Sequence, residues 1–148
     1  MSDTAKKIFT VILVVFIFFF GYNFFGGNTS FLTLDEQTIT IKGADDYSAS
    51  IPFDSVARME LRDRIDRGEA VSGGEKKTVS WGLYKNEELG EYDSLISSKI
   101  GLYLVITAKD GSVMVLNYES EDATSSIFTG FVNYYAEEGM EVEMLDLT

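Results

Sequence analysis

The sequence predicts a mainly β domain with one C-terminal α-helix, preceded by an N-terminal transmembrane helix. Three observations carry this prediction. Residues 8–25 contain no charged side chain, about seven short runs alternate apolar with polar residues, and apolar residues recur every three or four positions between 122 and 139. Alternation is typical of half-buried strands, and the three-to-four spacing is typical of an amphipathic helix. A chain of 148 residues has room for about one such domain.

The apolar segment at residues 8–25 is long enough to cross a bilayer. At 1.5 Å rise per residue, a helix of this length extends about 27 Å, close to the thickness of the hydrocarbon core. It follows a short head at residues 1–7 and precedes a linker at residues 26–30. A cleaved signal peptide and a buried soluble helix remain open alternatives. The segment is longer than a typical signal core and lacks a small-x-small site before Asn28.

Charge around this segment predicts its orientation. Lys6 and Lys7 lie directly before it, whereas the first basic residue after it is Lys42. The positive-inside rule therefore predicts a single-pass protein of the cell membrane, with a cytoplasmic N-terminus and an extracytoplasmic domain. A cytoplasmic domain remains an alternative because only two lysines support the rule and Asp3 lies beside them.

The β-rich part begins with clear alternation and loses it in the middle. We expect strands at residues 31–34, 38–42, 47–51, 57–62 and 78–83. The third strand ends at the only proline, and the fifth contains a buried tryptophan. The charges of the fourth strand are expected on a solvated face, where they form cross-strand ion pairs. Polar and glycine residues predict a long mobile loop at 63–77 and an irregular stretch at 84–98.

The last third predicts a hairpin and then the helix. Runs at 102–107 and 113–118 flank Asp110-Gly111, and their near-continuous apolar character indicates strands covered on both faces. Asp122 is placed to cap the helix and Gly139 to end it, and residues 140–148 form a tail or an edge strand. About seven strands with one apolar side would close into a barrel that the helix plugs.

Several local patterns resemble the bacterial pleckstrin-homology-like domains. They are the strand and turn at 38–43, the stretch 50–56 leading into 59–61, and Asn117-Tyr118 before the final helix. The resemblance covers residues 31–139 and implies a split β-barrel used for binding, with protein interaction or oligomer formation as its role.

Two loops depart from the members of that fold that bind inositol phosphates. Those members use basic residues in an early hairpin loop, whereas the early loops here, 35–37 and 43–46, are acidic. Phosphoinositide binding is therefore not expected. Nucleic-acid binding is not expected either, because 24 acidic and 12 basic residues give a net charge of -12.

Composition also narrows the chemistry. The sequence contains no cysteine and no histidine, which removes disulfides, thiol nucleophiles, imidazole catalysis and the usual zinc ligand sets. We therefore predict no cofactor, no metal and no catalytic residue. A hydrolase that uses two carboxylates remains an alternative because carboxylates are abundant.

One glycine-rich motif and one acidic motif partly resemble ligand sites. Residues 68–77 look like a phosphate-binding loop, but Gly74 stands where such a loop needs lysine. Glu119, Glu121 and Asp122 lack the spacing of a calcium loop, so their position indicates helix capping.

The remaining candidate is a protein-binding surface. Half of the basic residues lie between positions 58 and 77, where five acids are mixed with them. Since arginine is enriched at interfaces, we expect partner binding at Arg58, Arg62, Arg64 and Arg67. The sequence thus predicts a non-enzymatic, membrane-anchored binding module for a protein partner or for copies of itself. A secreted form cleaved after Gly27 is the alternative.

Overall fold

The computed structural model describes residues 31–34 and 37–148, which form ten strands in two sheets followed by one C-terminal α-helix. The strands are β1 Phe31–Leu34, β2 Thr38–Lys42, β3 Ser48–Pro52, β4 Val56–Arg62, β5 Glu69–Lys76, β6 Val79–Asn86, β7 Gly90–Ser97, β8 Tyr103–Ala108, β9 Val113–Leu116 and β10 Glu143–Asp146. A short 3-10 helix, Phe53–Ser55, joins β3 to β4, and the α-helix, α1, spans Glu121–Glu138.

The two sheets differ in size. The smaller has the order β1-β2-β3 and is antiparallel, and the larger has the order β10-β4-β8-β9-β7-β6-β5. Within the larger sheet, β10 runs parallel to β4 and β7 parallel to β9, while the other neighbours are antiparallel. The strands β10 and β5 are therefore its two edges.

The main core lies between the smaller sheet, one face of the larger sheet and α1. It contains side chains from every one of these layers, including Leu32, Ile39, Ile51, Met59, Trp81, Leu95, Leu104, Met114, Phe128 and Phe131. A second apolar cluster, which includes Tyr92, Val105 and Val115, lies on the opposite face of the larger sheet. Burial of apolar area on both faces explains why β9 is buried at all four positions.

The clearest sequence patterns are confirmed. β1 and β2 form the predicted hairpin, with Leu34 opposite Ile39, and β8 and β9 pair around the predicted turn. Trp81 is buried at 4% exposure, as expected of a core residue. Gly139 ends α1 in the left-handed conformation at φ 67°, a geometry that glycine adopts without a steric cost.

The predicted cap of the helix was wrong by two positions. Ser120 is the N-cap, and its side chain accepts a hydrogen bond from the backbone N–H of Ala123 at 3.0 Å. Asp122 lies inside the first turn, where its charge interacts favourably with the helix dipole.

The predicted strand number and the closed barrel were also wrong. The described residues contain ten strands instead of about seven, and these strands form two sheets without closure. The larger sheet does not need to close on itself, because the smaller sheet and α1 already cover its apolar inner face. Residues 140–148, expected to be a tail or an edge strand, contribute the edge strand β10.

The middle of the chain contains most of the missed strands. The expected mobile loop at 63–77 includes β5, and the expected irregular stretch at 84–98 includes the end of β6 and all of β7. The third strand lies one residue later than predicted, since β3 spans Ser48–Pro52.

Residues 63–68, here called the crossing segment, connect two distant strands of the larger sheet. They leave β4 and enter β5, with β8, β9, β7 and β6 between these two strands. Ile65 packs on the second apolar cluster, and the Tyr92 hydroxyl donates to the carbonyl of Arg67 at 2.5 Å. The Asn86 amide donates to the carbonyl of Asp66 at 2.5 Å. The crossing segment is thus held against the outer face of the sheet.

The predicted head, transmembrane helix and linker lie outside the described residues, so each of them stays a prediction. Within residues 31–34 and 37–148, no helix combines the length and the hydropathy that crossing a bilayer requires.

Candidate functional site

The most open surface of the larger sheet is its β5 edge. β5 is eight residues long, and among the described strands it pairs only with β6, so within that part of the chain its other side presents unpaired backbone groups. Seven of its eight residues are exposed, and the eighth, Gly74, is partly exposed. Val71 is 53% exposed, and with Leu147 it is one of two large exposed apolar residues in the described part of the chain.

Glycines hold β5 close to β6. Gly73 lies directly opposite Gly82, and their φ angles are 125° and 134°, which side-chain-bearing residues rarely adopt. A Cβ atom at Gly73 would come within 2.1 Å of the Trp81 carbonyl oxygen. Gly74 faces the ring of Trp81, because a Cβ atom there would lie 3.1 Å from Cζ2. β5 is therefore attached to the core through the tryptophan.

A bulge at Val71 sets which β5 side chains share a face. The register shifts between Ala70 and Ser72, so eight residues occupy seven positions along β6. Successive positions of a strand alternate between faces. The face shared with Trp81 consists of Glu69, Ser72, Gly74 and Lys76, and the opposite face consists of Ala70, Gly73 and Glu75.

Two of the four predicted partner-binding arginines lie on β4 and form ion pairs within the chain. Arg58 donates through Nε to Glu143 of the neighbouring β10 at 3.0 Å, as a cross-strand pair. Arg62 contacts Glu60 at 3.1 Å and also pairs with Glu88. These contacts already occupy hydrogen-bonding groups of both guanidinium groups.

Arg67 and Arg64 lie in the crossing segment. The Arg67 Nη2 donates to the Ser80 hydroxyl at 2.6 Å, and its guanidinium lies 5.0 Å from the ring centroid of Tyr84, within the range of a cation–π contact. Arg64 is exposed. The contacts of Arg67 are on β6 and those of Arg58 on β10, so the structure does not bring the four arginines to one place.

The alternation predicted that all charged residues of β4 lie on a solvated face, but one of them is buried. Glu60 is 5% exposed, because the Arg62 side chain and the outer apolar cluster surround this part of the sheet. Partial burial on its own would lower the pKa of Arg62. Its hydrogen bonds and charge interactions with Glu88 and Glu60 outweigh this effect, so the pKa of Arg62 is raised above its ordinary value. The Glu60–Arg62–Glu88 group is therefore an intramolecular network.

The turn between β2 and β3 is fastened to the larger sheet by a half-buried tyrosine. The Tyr47 hydroxyl donates to Asp93 Oδ1 at 2.8 Å and approaches the carbonyl oxygen of Gly82 at 3.2 Å. Burial, followed by the hydrogen bond and the charge of Asp93, raises the pKa of Tyr47 far above its ordinary value. This contact joins the two sheets near the attachment point of β5.

A second open surface is a cleft of about 370 Å³ between β3 and the β8–β9 turn. Its lining contributes one amine, one carboxylate and three hydroxyls, from Lys109, Asp110, Ser50, Ser55 and Ser112. Hydrogen bonds from the backbone and side chain of Ser112 lower the pKa of the exposed Asp110. A hydrolase of the two-carboxylate type needs a second carboxyl group with raised pKa beside the first, and the lining supplies one carboxylate.

The acidic residues at the start of α1, Glu119, Glu121 and Asp122, do not form a group that could bind a cation. Burial raises the pKa of Glu119, whose φ is 57°, while Glu121 and Asp122 lie in the first turn of the helix. Among the described residues, no three acidic side chains are arranged to hold a metal ion.

The sequence signal for β5 was present but weak. Val79 onwards alternates clearly, and Lys77-Thr78 form a two-residue turn in which Lys77 has φ 55°. A strand before this turn would complete a hairpin. The glycine pair hid that strand because glycine is depleted in strands, and a single large apolar residue, Val71, forms no alternating pattern.

Of these surfaces, the β5 edge has the longest run of exposed backbone and the cleft has the most polar side chains. Comparisons of this chain with protein-family models, with curated proteins and with solved structures find no match.

Proposed function

We propose that the chain is a non-enzymatic, membrane-anchored binding module of the pleckstrin-homology-like type. It binds a protein partner or copies of itself at the cell envelope through the β5 edge. The single observation that carries this proposal is the exposed eight-residue edge strand. An unpaired strand edge is a template for pairing with a further strand, in which backbone hydrogen bonds supply affinity.

The close contact of this edge with β6 and the core supports a binding role. Gly73, Gly74 and Gly82 bring β5 within close contact of β6 and Trp81, and the tryptophan belongs to the main core. A strand held in its extended conformation before binding loses less conformational entropy when it pairs. The edge therefore combines exposure with preorganisation.

Of the four arginines predicted to bind a partner, this proposal keeps one as a partner contact. Arg58, Arg62 and Arg67 act within the fold through their ion pairs, hydrogen bonds and ring contact. Arg64 is exposed and lies in the crossing segment, and it stays a prediction for partner contact.

A charge placed on the edge tests the binding role. Val71→Lys introduces a cation at an exposed bulge position, so the domain should still fold normally. Pairing of a further strand with β5 should become unfavourable, because the lysine would lose its contact with water or repel the added strand. Leu147→Lys is the matched control, because Leu147 is 51% exposed and lies outside β5. The measurement is chemical crosslinking of the full chain in intact cells.

We expect the crosslinked species of the unaltered chain to persist in the Leu147→Lys variant and to be lost in the Val71→Lys variant. An unchanged crosslinking pattern in both variants would exclude the β5 edge as the binding surface.

The membrane anchor is tested separately. If residues 8–25 span the bilayer, the chain should stay in membranes after an alkaline wash, with its intact mass. Release of a product that lacks residues 1–27 would instead support the secreted alternative. Protease treatment of intact cells then tests orientation, since an extracytoplasmic domain should be digested without breaking the cells.

A further inference from the structure

We infer that the β5 edge pairs with the β5 edge of a second copy, antiparallel, about a two-fold axis at Gly73. This inference rests on the proposed function and names its partner. It follows from three properties of β5, namely its charge distribution, its bulge and its position in the larger sheet.

The charges of β5 are complementary to the same strand when it is reversed. Glu69 begins the strand and Lys76 ends it. In an antiparallel pair with the axis at Gly73, Glu69 of each copy lies opposite Lys76 of the other. Opposite charges directly across two strands stabilise the pair. Parallel pairing in register would place Glu69 against Glu69 and Lys76 against Lys76, which is unfavourable.

The bulge makes this charge match geometrically consistent. Residues directly opposite each other in a sheet project from the same face. Because Val71 is the extra residue, Glu69 and Lys76 are six positions apart and share the face of Trp81. The remaining positions also match, with Ala70 opposite Glu75 and Ser72 opposite Gly74. Without the bulge, the two charged residues would be on opposite faces.

Neighbouring residues favour this register over slipped ones. Within one copy, Lys85 of β6 lies opposite Glu69, so the paired sheet would carry the row Lys85, Glu69 and the second copy's Lys76 on one face. A slip of two residues places Glu69 or Lys76 opposite an uncharged residue and loses both inter-copy ion pairs. The ion pairs therefore select the two-fold register.

The geometry also closes the contact through the larger sheet at two copies. A two-fold pair uses both β5 edges, and the other edge of each larger sheet is β10, Glu143–Asp146. β10 is four residues long and has an acid at each end, so two β10 edges repel each other. An isologous contact of this kind closes on itself.

Introduced thiols test the register directly. The native chain has no cysteine, so any disulfide reports only the introduced pair. Ala70→Cys and Glu75→Cys chains, each full length and purified in a mild detergent, are mixed and oxidised gently. Cα atoms directly opposite in an antiparallel pair are about 4.5–5.5 Å apart, within disulfide range. Two copies of the same variant would hold their thiols about 14 Å apart along the strand.

We expect the mixture to form crosslinked dimers at least about tenfold faster than either variant alone, because only the mixture brings the thiols into range. A mixture of Ser112→Cys and Ser126→Cys chains is the control, since both residues are exposed outside β5. Equal rates in the mixture and in the separate variants would overturn the two-fold register.

A charge exchange gives an independent measurement. Glu69→Lys and Lys76→Glu each place like charges across the axis, so we expect each to weaken dimerisation, measured by sedimentation, about tenfold. The double variant restores opposite charges and should recover the affinity of the unaltered chain. Thermal unfolding of all three variants confirms that they are folded. Failure of the double variant to recover affinity would contradict the inference.

The outcomes separate this inference from the proposed function. If the mixed thiols do not crosslink while Val71→Lys still removes a crosslink to another protein in cells, self-pairing is wrong and the binding role of the edge stands. If Val71→Lys also leaves the cellular crosslinks unchanged, both are wrong.

Discussion

At the scale of single residues, buried polar groups decide how the middle of the chain folds. Asn117 is fully buried, and its side chain accepts from the backbone N–H of Ser97 at 2.8 Å. It also donates to the carbonyl oxygens of Ser97 and Ile100 at 3.1 and 3.2 Å. These three bonds fasten the end of β7 to the end of β9. No pattern of alternation could predict them, because they depend on the fold.

Replacing Asn117 tests this role. Asn117→Ala leaves the buried N–H of Ser97 without its acceptor and removes the amide donor from the carbonyls of Ser97 and Ile100, so we expect the free energy of unfolding to fall by about 2–4 kcal/mol. Asn133→Ala, on the exposed side of α1, should change it by less than about 0.5 kcal/mol. Urea denaturation of both variants is the measurement. Equal stability would show that backbone rearrangement or water replaces the lost bonds.

Arg62 belongs to the same scale, because one residue determines whether a buried charge is compensated. Arg62→Ala leaves Glu60 buried without its partner, and we expect a loss of about 2–4 kcal/mol in the free energy of unfolding. Arg64→Ala, at an exposed position, should cost less than about 0.5 kcal/mol. Similar denaturation midpoints for the two variants would contradict the structural role of Arg62.

At the scale of elements, the sequence predicts those whose burial pattern is regular. β2, β8 and β9 were predicted within two residues at either end. In β2 buried apolar residues alternate with partly exposed ones, and β8 and β9 are apolar at nearly every position. β7 was missed because two of its buried residues are serines. Ser94 and Ser97 are fully buried, and the Ser94 hydroxyl donates to the carbonyl of Gly82 at 3.2 Å. A sequence that contains such serines is typical of a loop, so the strand is not recognised from the sequence alone.

The start of α1 gives a prediction at the element scale. Ser120→Ala removes the side-chain oxygen that accepts from the N–H of Ala123, and caps of this type contribute about 1 kcal/mol. Asp122→Ala removes only a favourable charge near the helix dipole, which contributes about 0.3–1 kcal/mol at an exposed site. Thermal unfolding should therefore show the larger destabilisation for Ser120→Ala. The reverse order would restore Asp122 as the cap.

At the scale of the whole molecule, the two sheets and the helix are joined by tyrosine hydroxyls. Tyr47 reaches from the β2–β3 turn to β7, and Tyr135 of α1 donates to the carbonyl of Phe53 at 2.9 Å. Burial raises the pKa of Tyr47, Tyr92, Tyr118 and Tyr135 above the ordinary value of 10.0. In the unfolded chain these groups lose protons near that ordinary value, whereas in the folded protein they stay protonated.

Stability should therefore depend on alkaline pH. Above about pH 10 the unfolded state binds fewer protons than the folded state, so the free energy of unfolding falls as pH rises. Below that pH the contribution is fully present. Tyr47→Phe removes one of the four groups and should reduce the slope of stability against pH, while lowering stability at neutral pH by about 1 kcal/mol through the lost hydrogen bond. An unchanged alkaline slope would contradict this assignment.

The candidate site was less predictable than the fold. The arginines stood out because arginine is common at interfaces, yet the side chains that neutralise or hold them come from β6, β10 and the β6–β7 turn, far along the sequence. The exposed edge of β5 depends on the order of strands in the larger sheet, which local patterns do not encode. Long-range pairing thus determines both surfaces.

Hydrogen exchange tests most directly whether the β5 edge is a binding surface. The full chain is compared in membranes of the cells that produce it and at high dilution in detergent, with amide exchange of Glu69–Lys76 measured by mass spectrometry. Binding at the edge predicts slower exchange of this segment in the membranes, with the exchange of Val113–Leu116, an interior strand, unchanged. Identical exchange of Glu69–Lys76 in the two conditions would contradict the proposed function.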